Sequence, residues 1–83
     1  MRVTVKLYAT LSDYLPAGSK NNRVEVEVAS HASVAAVLQP FSLPEKLTHL
    51  VLLNGTFIPP EVRSSTALSA GDTLAVWPPI AGG

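Results

Sequence analysis

Cysteine is absent from this 83-residue chain, so disulfide staples, thiolate metal sites and cysteine nucleophiles are all excluded. Charge of one sign is also missing: six basic and six acidic residues cancel, and the basic ones never form a run. Binding to nucleic acid by phosphate neutralisation is therefore not expected. No stretch approaches the ~18 consecutive apolar residues of a membrane span. The opening Met1-Arg2-Val3-Thr4-Val5-Lys6 alternates apolar with polar residues, unlike the core of a signal peptide. A cytoplasmic location is the expectation. Aromatic residues are scarce at 6%, and the apolar supply is mostly Val, Leu and Ala. A chain of this size is one domain and buries only ~60% of its unfolded surface. The core is expected to be one layer between two elements, with no room for a deep internal pocket.

What is present reads as short strands around one helix. Val3, Val5 and Leu7 alternate with Thr4, Lys6 and Tyr8, the period of a half-buried strand. Residues 10–15 predict a helical turn ended by Pro16, and the polar loop 17–22 follows. Val24, Val26 and Val28 alternate with Arg23, Glu25 and Glu27 in a second strand, expected to pair with the first. Ser33 is a helix N-cap candidate ahead of Val34, Val37 and Leu38. Pro40 disfavours helical geometry at Gln39, so this helix is expected to be short. Pro44 is expected to open another helical turn, with Glu45 near its positive end. Leu50 to Leu53 is an apolar run stopped by Asn54-Gly55, a strong hairpin signal because a type I′ turn needs positive φ at both central residues. Phe57 and Ile58 form the return arm before Pro59-Pro60, and residues 61–69 read as irregular. Ala70-Gly71-Asp72 is a turn, and a last strand through Leu74, Val76 and Trp77 follows. The layout is β-β-α-β-β-β, an α+β domain with one helix to cover one face of a sheet.

Enzymatic constellations are sparse. No phosphate-cradling glycine motif and no metal-spaced cluster occurs. His31 and His49 have no acidic neighbour in the same element and read as surface or loop histidines. Ser64-Ser65-Thr66 has no base nearby and reads as a polar loop. Glu25 and Glu27 share a strand face with valines between them, which is the solvated side of a sheet and not a hydrolase dyad. The domain is not expected to be an enzyme by itself, and no metal or bound cofactor is expected.

The sequence ends Trp77-Pro78-Pro79-Ile80-Ala81-Gly82-Gly83. Two prolines stiffen the chain, and two glycines finish it without side chains, a form that threads into a narrow slot where a Cβ would collide. With Gly at ~7% of residues, a chance Gly-Gly ending is on the order of 0.5%. An α-carboxylate is ionised at neutral pH and a poor electrophile. Activation as an acyl-adenylate opens it to sulfur, nitrogen or oxygen nucleophiles. Without cysteine, sulfur carried by this chain must sit on Gly83. If Leu74 and Val76 face the helix, Trp77 lies on the opposite face beside the tail. There it is either an exposed partner anchor, with Phe57 as a possible neighbour, or a core-edge residue under a loop.

These residues resemble one family throughout the chain. The opening strand with Leu7-Tyr8-Ala9-Thr10-Leu11, Val51-Leu52-Leu53-Asn54-Gly55, Leu68-Ser69-Ala70-Gly71-Asp72 and the 77–83 ending are similar to the small, ubiquitin-like sulfur-carrier subunit of molybdopterin synthase and its relatives, including the thiazole-synthesis carrier. Pro-Pro before Gly-Gly is more like the molybdopterin branch. The resemblance implies a β-grasp domain over 1–77, with a mixed sheet whose first and last strands are central and parallel, and a flexible tail over 78–83. It also implies a cycle. An E1-like adenylyltransferase consumes ATP to activate Gly83, a sulfur donor makes a thiocarboxylate, and the tail enters the larger catalytic subunit, where sulfur passes to a pterin precursor. Gly82, Ala81, Ile80, Pro79, Pro78, Trp77 and Phe57 would then contact partners. Pro40 with Pro44, Ala70 ahead of Gly71, and Trp77 depart from the usual family pattern. The other readings are a carrier for thiazole or tRNA thiolation, a ubiquitin-like protein modifier, and a β-grasp docking module without carrier chemistry.

Overall fold

Alternation along the strands decides which face meets the helix. The computed structural model describes residues 1–79. Its strands are β1 (Arg2–Leu7), β2 (Arg23–Glu27), β3 (Leu50–Leu53), β4 (Thr56–Phe57) and β5 (Thr73–Trp77), and its helix is α1 (Val34–Leu38). Val3, Val5 and Leu7 of β1 are buried, as are Val51 of β3 and Leu74 and Val76 of β5. These side chains share one face because directly paired residues do: Val5 opposes Leu74, Leu7 opposes Val76, and Val51 opposes Val76. Val34, Val37 and Leu38 of α1, together with Leu11, Ile58 and Leu68, complete the core over them.

The strand order is β2-β1-β5-β3-β4. β1 and β5 are central and parallel, whereas β1–β2, β3–β5 and β3–β4 are antiparallel. This is a ubiquitin-like β-grasp, with the helix on one face and the other face open.

Helix α1 starts where the side chain of Ser33 accepts a hydrogen bond from the Ala36 N–H at 3.0 Å. It is as short as Pro40 requires, but Gln39 corrects the sequence reading. Its φ and ψ of −54° and −45° are helical, and the chain continues as a 3-10 turn over Gln39–Phe41. Proline lacks the N–H for an α-helical bond, so the ladder tightens instead of stopping, and Ser42 ends it with φ of 54°. The next 3-10 turn runs Glu45–Leu47, with Pro44 one place earlier than expected, in the cap position with ψ of 133°. The turn before Pro16 is also 3-10, over Ala9–Tyr14.

The Asn54-Gly55 hairpin forms as its chemistry demands, with φ of 49° and 87°. Gly55 takes its value without a Cβ penalty, and Asn tolerates the same region better than most residues. The return arm starts one residue early, at Thr56, and the Ile58 N–H still bonds the Val51 carbonyl at 2.9 Å.

Candidate functional site

The place where β5 delivers the chain to Pro78 is tied at both ends of the strand. At its start, the Asn54 side chain bridges two segments. Its Nδ2 donates to Asp72 Oδ1 at 3.0 Å, and its Oδ1 accepts from the Thr73 N–H at 2.9 Å. Asp72 Oδ2 accepts in turn from the Ser69 N–H at 2.7 Å, which closes the turn around Gly71. At its end, Trp77 pairs with Leu50 and stacks on Tyr8, with ring centroids 4.3 Å apart and planes within 4°. The Tyr8 N–H donates to the Val76 carbonyl at 3.1 Å, so backbone and ring both hold Tyr8 beside the strand end.

The open face divides into two chemistries. Register places Leu50 and Leu52 of β3, Phe57 of β4, and Ala75 and Trp77 of β5 on this side, and the stack adds Tyr8. That half is apolar, and Phe57 is its most exposed member at 48%. The other half, on β1 and β2, carries Arg2, Thr4, Lys6, Arg23, Glu25 and Glu27. Arg2 spans two carboxylates there, with Nε 3.2 Å from Glu27 and Nη1 3.7 Å from Glu25.

Of the residues singled out from the sequence, Trp77 does lie opposite the buried Leu74 and Val76. It is half-buried, and what covers it is the Tyr8 ring. Phe57 shares its face, with Leu52 and Ala75 between them in the pairing. Pro78 is half-buried and Pro79 exposed, whereas Ile80, Ala81, Gly82 and Gly83 lie outside the described residues. Tyr8, Leu50, Leu52 and Ala75 are the members of the patch that sequence reasoning missed. The signal was there: four consecutive apolar residues in β3 must put two on each face, and one helix covers one face only.

The remaining candidates stay apart. His31 and His49 are exposed loop residues, and Glu25 and Glu27 are solvated. Among the described residues, no group of three or more His, Cys, Asp or Glu side chains could hold a metal. No helix among them is long and apolar enough to cross a membrane. An open bowl of about 720 Å³ beside α1 includes Leu38, Thr48 and Arg63 in its wall, but none of the open-face patch. Arg63 there is a structural clasp. Its guanidinium donates to the carbonyls of Ile58 and Thr48, both at 3.0 Å, and of His49 at 3.3 Å. Burial lowers its pKa from the ordinary value, against an opposing pull from Glu61.

Comparison with known proteins follows this geometry. SAMP1 from Haloferax volcanii is 29% identical, with a TM-score of 0.69 and full coverage of both chains. The ThiS thiamine biosynthesis protein from Geobacter metallireducens is 20% identical with a TM-score of 0.66, again over both full chains. A complex of subunits 1 and 2 of the molybdopterin-converting factor from Helicobacter pylori matches at 19% identity and a TM-score of 0.63, with full coverage of both chains. The last two likenesses show the fold alone. A search of curated proteins finds no match. The ThiS family model matches residues 5–83, nearly the whole chain, and so this chain belongs to the ThiS family.

Proposed function

We propose that this chain carries sulfur on Gly83 for molybdopterin synthesis. The observation that supports the reading best is the junction at Trp77. A central strand, clasped at both ends, passes straight into Pro78-Pro79 beside a half-buried apolar patch on the open face. A partner seated on Tyr8, Leu50, Leu52, Phe57 and Trp77 would receive the chain end from a rooted strand. The Pro-Pro and Gly-Gly pairs suit threading into a slot.

The chemistry belongs to the activating partner and to the terminal carboxylate. A Gly83 carboxylate oxygen attacks the α-phosphorus of ATP, and pyrophosphate leaves. Sulfide then adds to the acyl-adenylate carbonyl and AMP leaves, giving the thiocarboxylate. This chain's own part is to present a carbonyl without neighbouring side-chain bulk and to dock through its patch. The larger subunit of molybdopterin synthase is the proposed acceptor, since the Helicobacter pylori protein of this fold is seen in complex with subunit 2 of its converting factor.

A second reading is favoured by SAMP1, described as small archaeal modifier protein 1 and the more similar in sequence of the relatives compared above. In that reading a lysine amine displaces AMP from the same adenylate, forming an isopeptide bond. Intact mass after incubation with ATP, an adenylating enzyme of this family and sulfide tests both. Replacement of one oxygen by sulfur at Gly83 supports the carrier. No change with several such enzymes, on a protein whose mass confirms the Gly83 terminus, refutes it. A lysine-linked conjugate in cell extract supports the modifier.

A further inference from the structure

The last rung between β3 and β5 is made by a side chain. Leu53 and Leu74 are the final paired residues of the two strands at this end. One step beyond them the Asn54 N–H donates to the Thr73 carbonyl at 2.9 Å, and the Thr73 N–H donates in return to Asn54 Oδ1, also at 2.9 Å. The carboxamide therefore does what a backbone carbonyl does in a regular ladder. Its Nδ2 is held as well, on Asp72 Oδ1 at 3.0 Å. Both polar atoms on Asn54 Cγ are thus pinned to the start of β5.

The residue that follows Asn54 makes this pinning matter. Gly55 has no side chain to shield its backbone nitrogen, and a Cβ built on it would meet no atom within 4 Å. Asn54 and Gly55 are both exposed, so water and hydroxide reach the turn. Asn21 and Asn22 are exposed too, but Asn22 and Arg23, the residues that follow them, carry side chains.

We propose that Asn54 is a site of spontaneous deamidation, gated by its own rung to Thr73. In the reaction the Gly55 nitrogen gives up its proton to base and attacks Asn54 Cγ. The Cγ–Nδ2 bond breaks and ammonia leaves, giving a cyclic imide. Water then opens the ring at either carbonyl, and nothing is oxidised or reduced. Attack at Cγ restores the main chain with an aspartate, whereas attack at the backbone carbonyl leaves the chain running through the side chain as isoaspartate. Turning Cγ toward the Gly55 nitrogen pulls Oδ1 off the Thr73 N–H, so the closed turn is protected and the opened one reacts.

The products cannot rebuild the rung. Aspartate replaces Nδ2, the donor to Asp72, by an oxygen that only accepts, and sets two carboxylates face to face. Isoaspartate moves the carboxylate and lengthens the turn by one main-chain carbon. Deamidation thus unties the start of β5, at the opposite end of the strand from Trp77. The site does not depend on the carrier reading.

The test compares the full chain with the capped peptide Leu-Leu-Asn-Gly-Thr-Phe, residues 52–57, in the same mildly alkaline buffer. Proteolytic mapping by mass locates the replacement of an amino group by a hydroxyl, and hydrogen exchange of the Thr73 amide measures how often the rung opens. Asn54 should react at least about fivefold more slowly in the folded chain than in the peptide, the worth of one neutral hydrogen bond. The slowing should match the protection of the Thr73 amide within about threefold, and urea should abolish both. In urea Asn54 should react ahead of Asn21 and Asn22. The isolated deamidated chain should exchange its Thr73 amide faster than the unreacted one. Equal rates in chain and peptide, slow deamidation beside a freely exchanging Thr73 amide, or unchanged exchange after deamidation would overturn the proposal. So would a folded chain that stays unreacted for longer than its Thr73 protection allows.

Discussion

Replacing Asn54 with alanine should cost about 2 kcal/mol of stability, made up of two separable parts. The first is the hydrogen bond from the Thr73 N–H to Asn54 Oδ1 at 2.9 Å, a neutral bond whose net contribution is about 1 kcal/mol. The bond to Asp72 adds little, because the cost of ordering two side chains offsets most of its gain. The second part is conformational: Asn54 sits at φ of 49°, where an ordinary L-residue pays about 1 kcal/mol and Asn pays less. Glycine at the same position loses the bond but escapes the conformational penalty, so Asn54→Gly should cost only about 1 kcal/mol. Thermal unfolding followed by far-ultraviolet circular dichroism measures both. For a domain of this size about 2 kcal/mol corresponds to a fall in Tm of roughly 8–16 °C, and the glycine variant should fall about half as far. The reasoning is refuted if the two variants unfold at the same temperature, or if glycine is the worse. Either result would mean that strain at φ of 49° does not contribute and that the turn is held by something else.

Three further outcomes are expected. Trp77→Ala should keep the fold, because the ring covers the open face and not the core, yet weaken binding to the proposed larger-subunit partner by about 2 kcal/mol, roughly thirtyfold; unchanged affinity in a calorimetric titration removes Trp77 from the docking patch. Gly82→Ala should leave Tm unchanged and lower kcat/KM for adenylation by about tenfold or more, since a slot shaped for glycine must accept a methyl group; normal pyrophosphate exchange would count against the threading model. Arg63→Met should destabilise by about 2 kcal/mol because the carbonyls of Ile58, Thr48 and His49 lose a shared charged donor. Urea unfolding with an unshifted midpoint would show that water satisfies all three.

Much of the local structure was legible because its causes are local. Ser33 could be read as a cap since its own hydroxyl satisfies the Ala36 N–H three residues on. Asn54-Gly55 could be read as a hairpin since both residues accept positive φ. Gln39 was misread because the rule for residues before proline is a preference. The core contacts of Val37 and Leu38 outweigh it, and a 3-10 turn relieves the clash. The functional patch was half legible. Trp77 and Phe57 stand out by size, but Tyr8 looked like one more polar-face residue of β1 until its ring met Trp77 at 4.3 Å.

The sequence by itself determined the faces of the strands, the caps and the hairpin, because each depends on residues within a few positions of one another. Only the tertiary structure decided that β5 enters between β1 and β3. β1 and β5 lie at opposite ends of the chain, and nothing in either states that Val5 will oppose Leu74. That pairing is set by the one arrangement in which a single short helix covers every buried valine and leucine at once. The same arrangement leaves β3 with apolar residues on its uncovered side and brings Tyr8 against Trp77 where the chain leaves the sheet. It also leaves β2 outermost in the sheet, next to β1. A docking surface is a property of which elements are adjacent, and adjacency is a global consequence of burial that no local window of sequence contains.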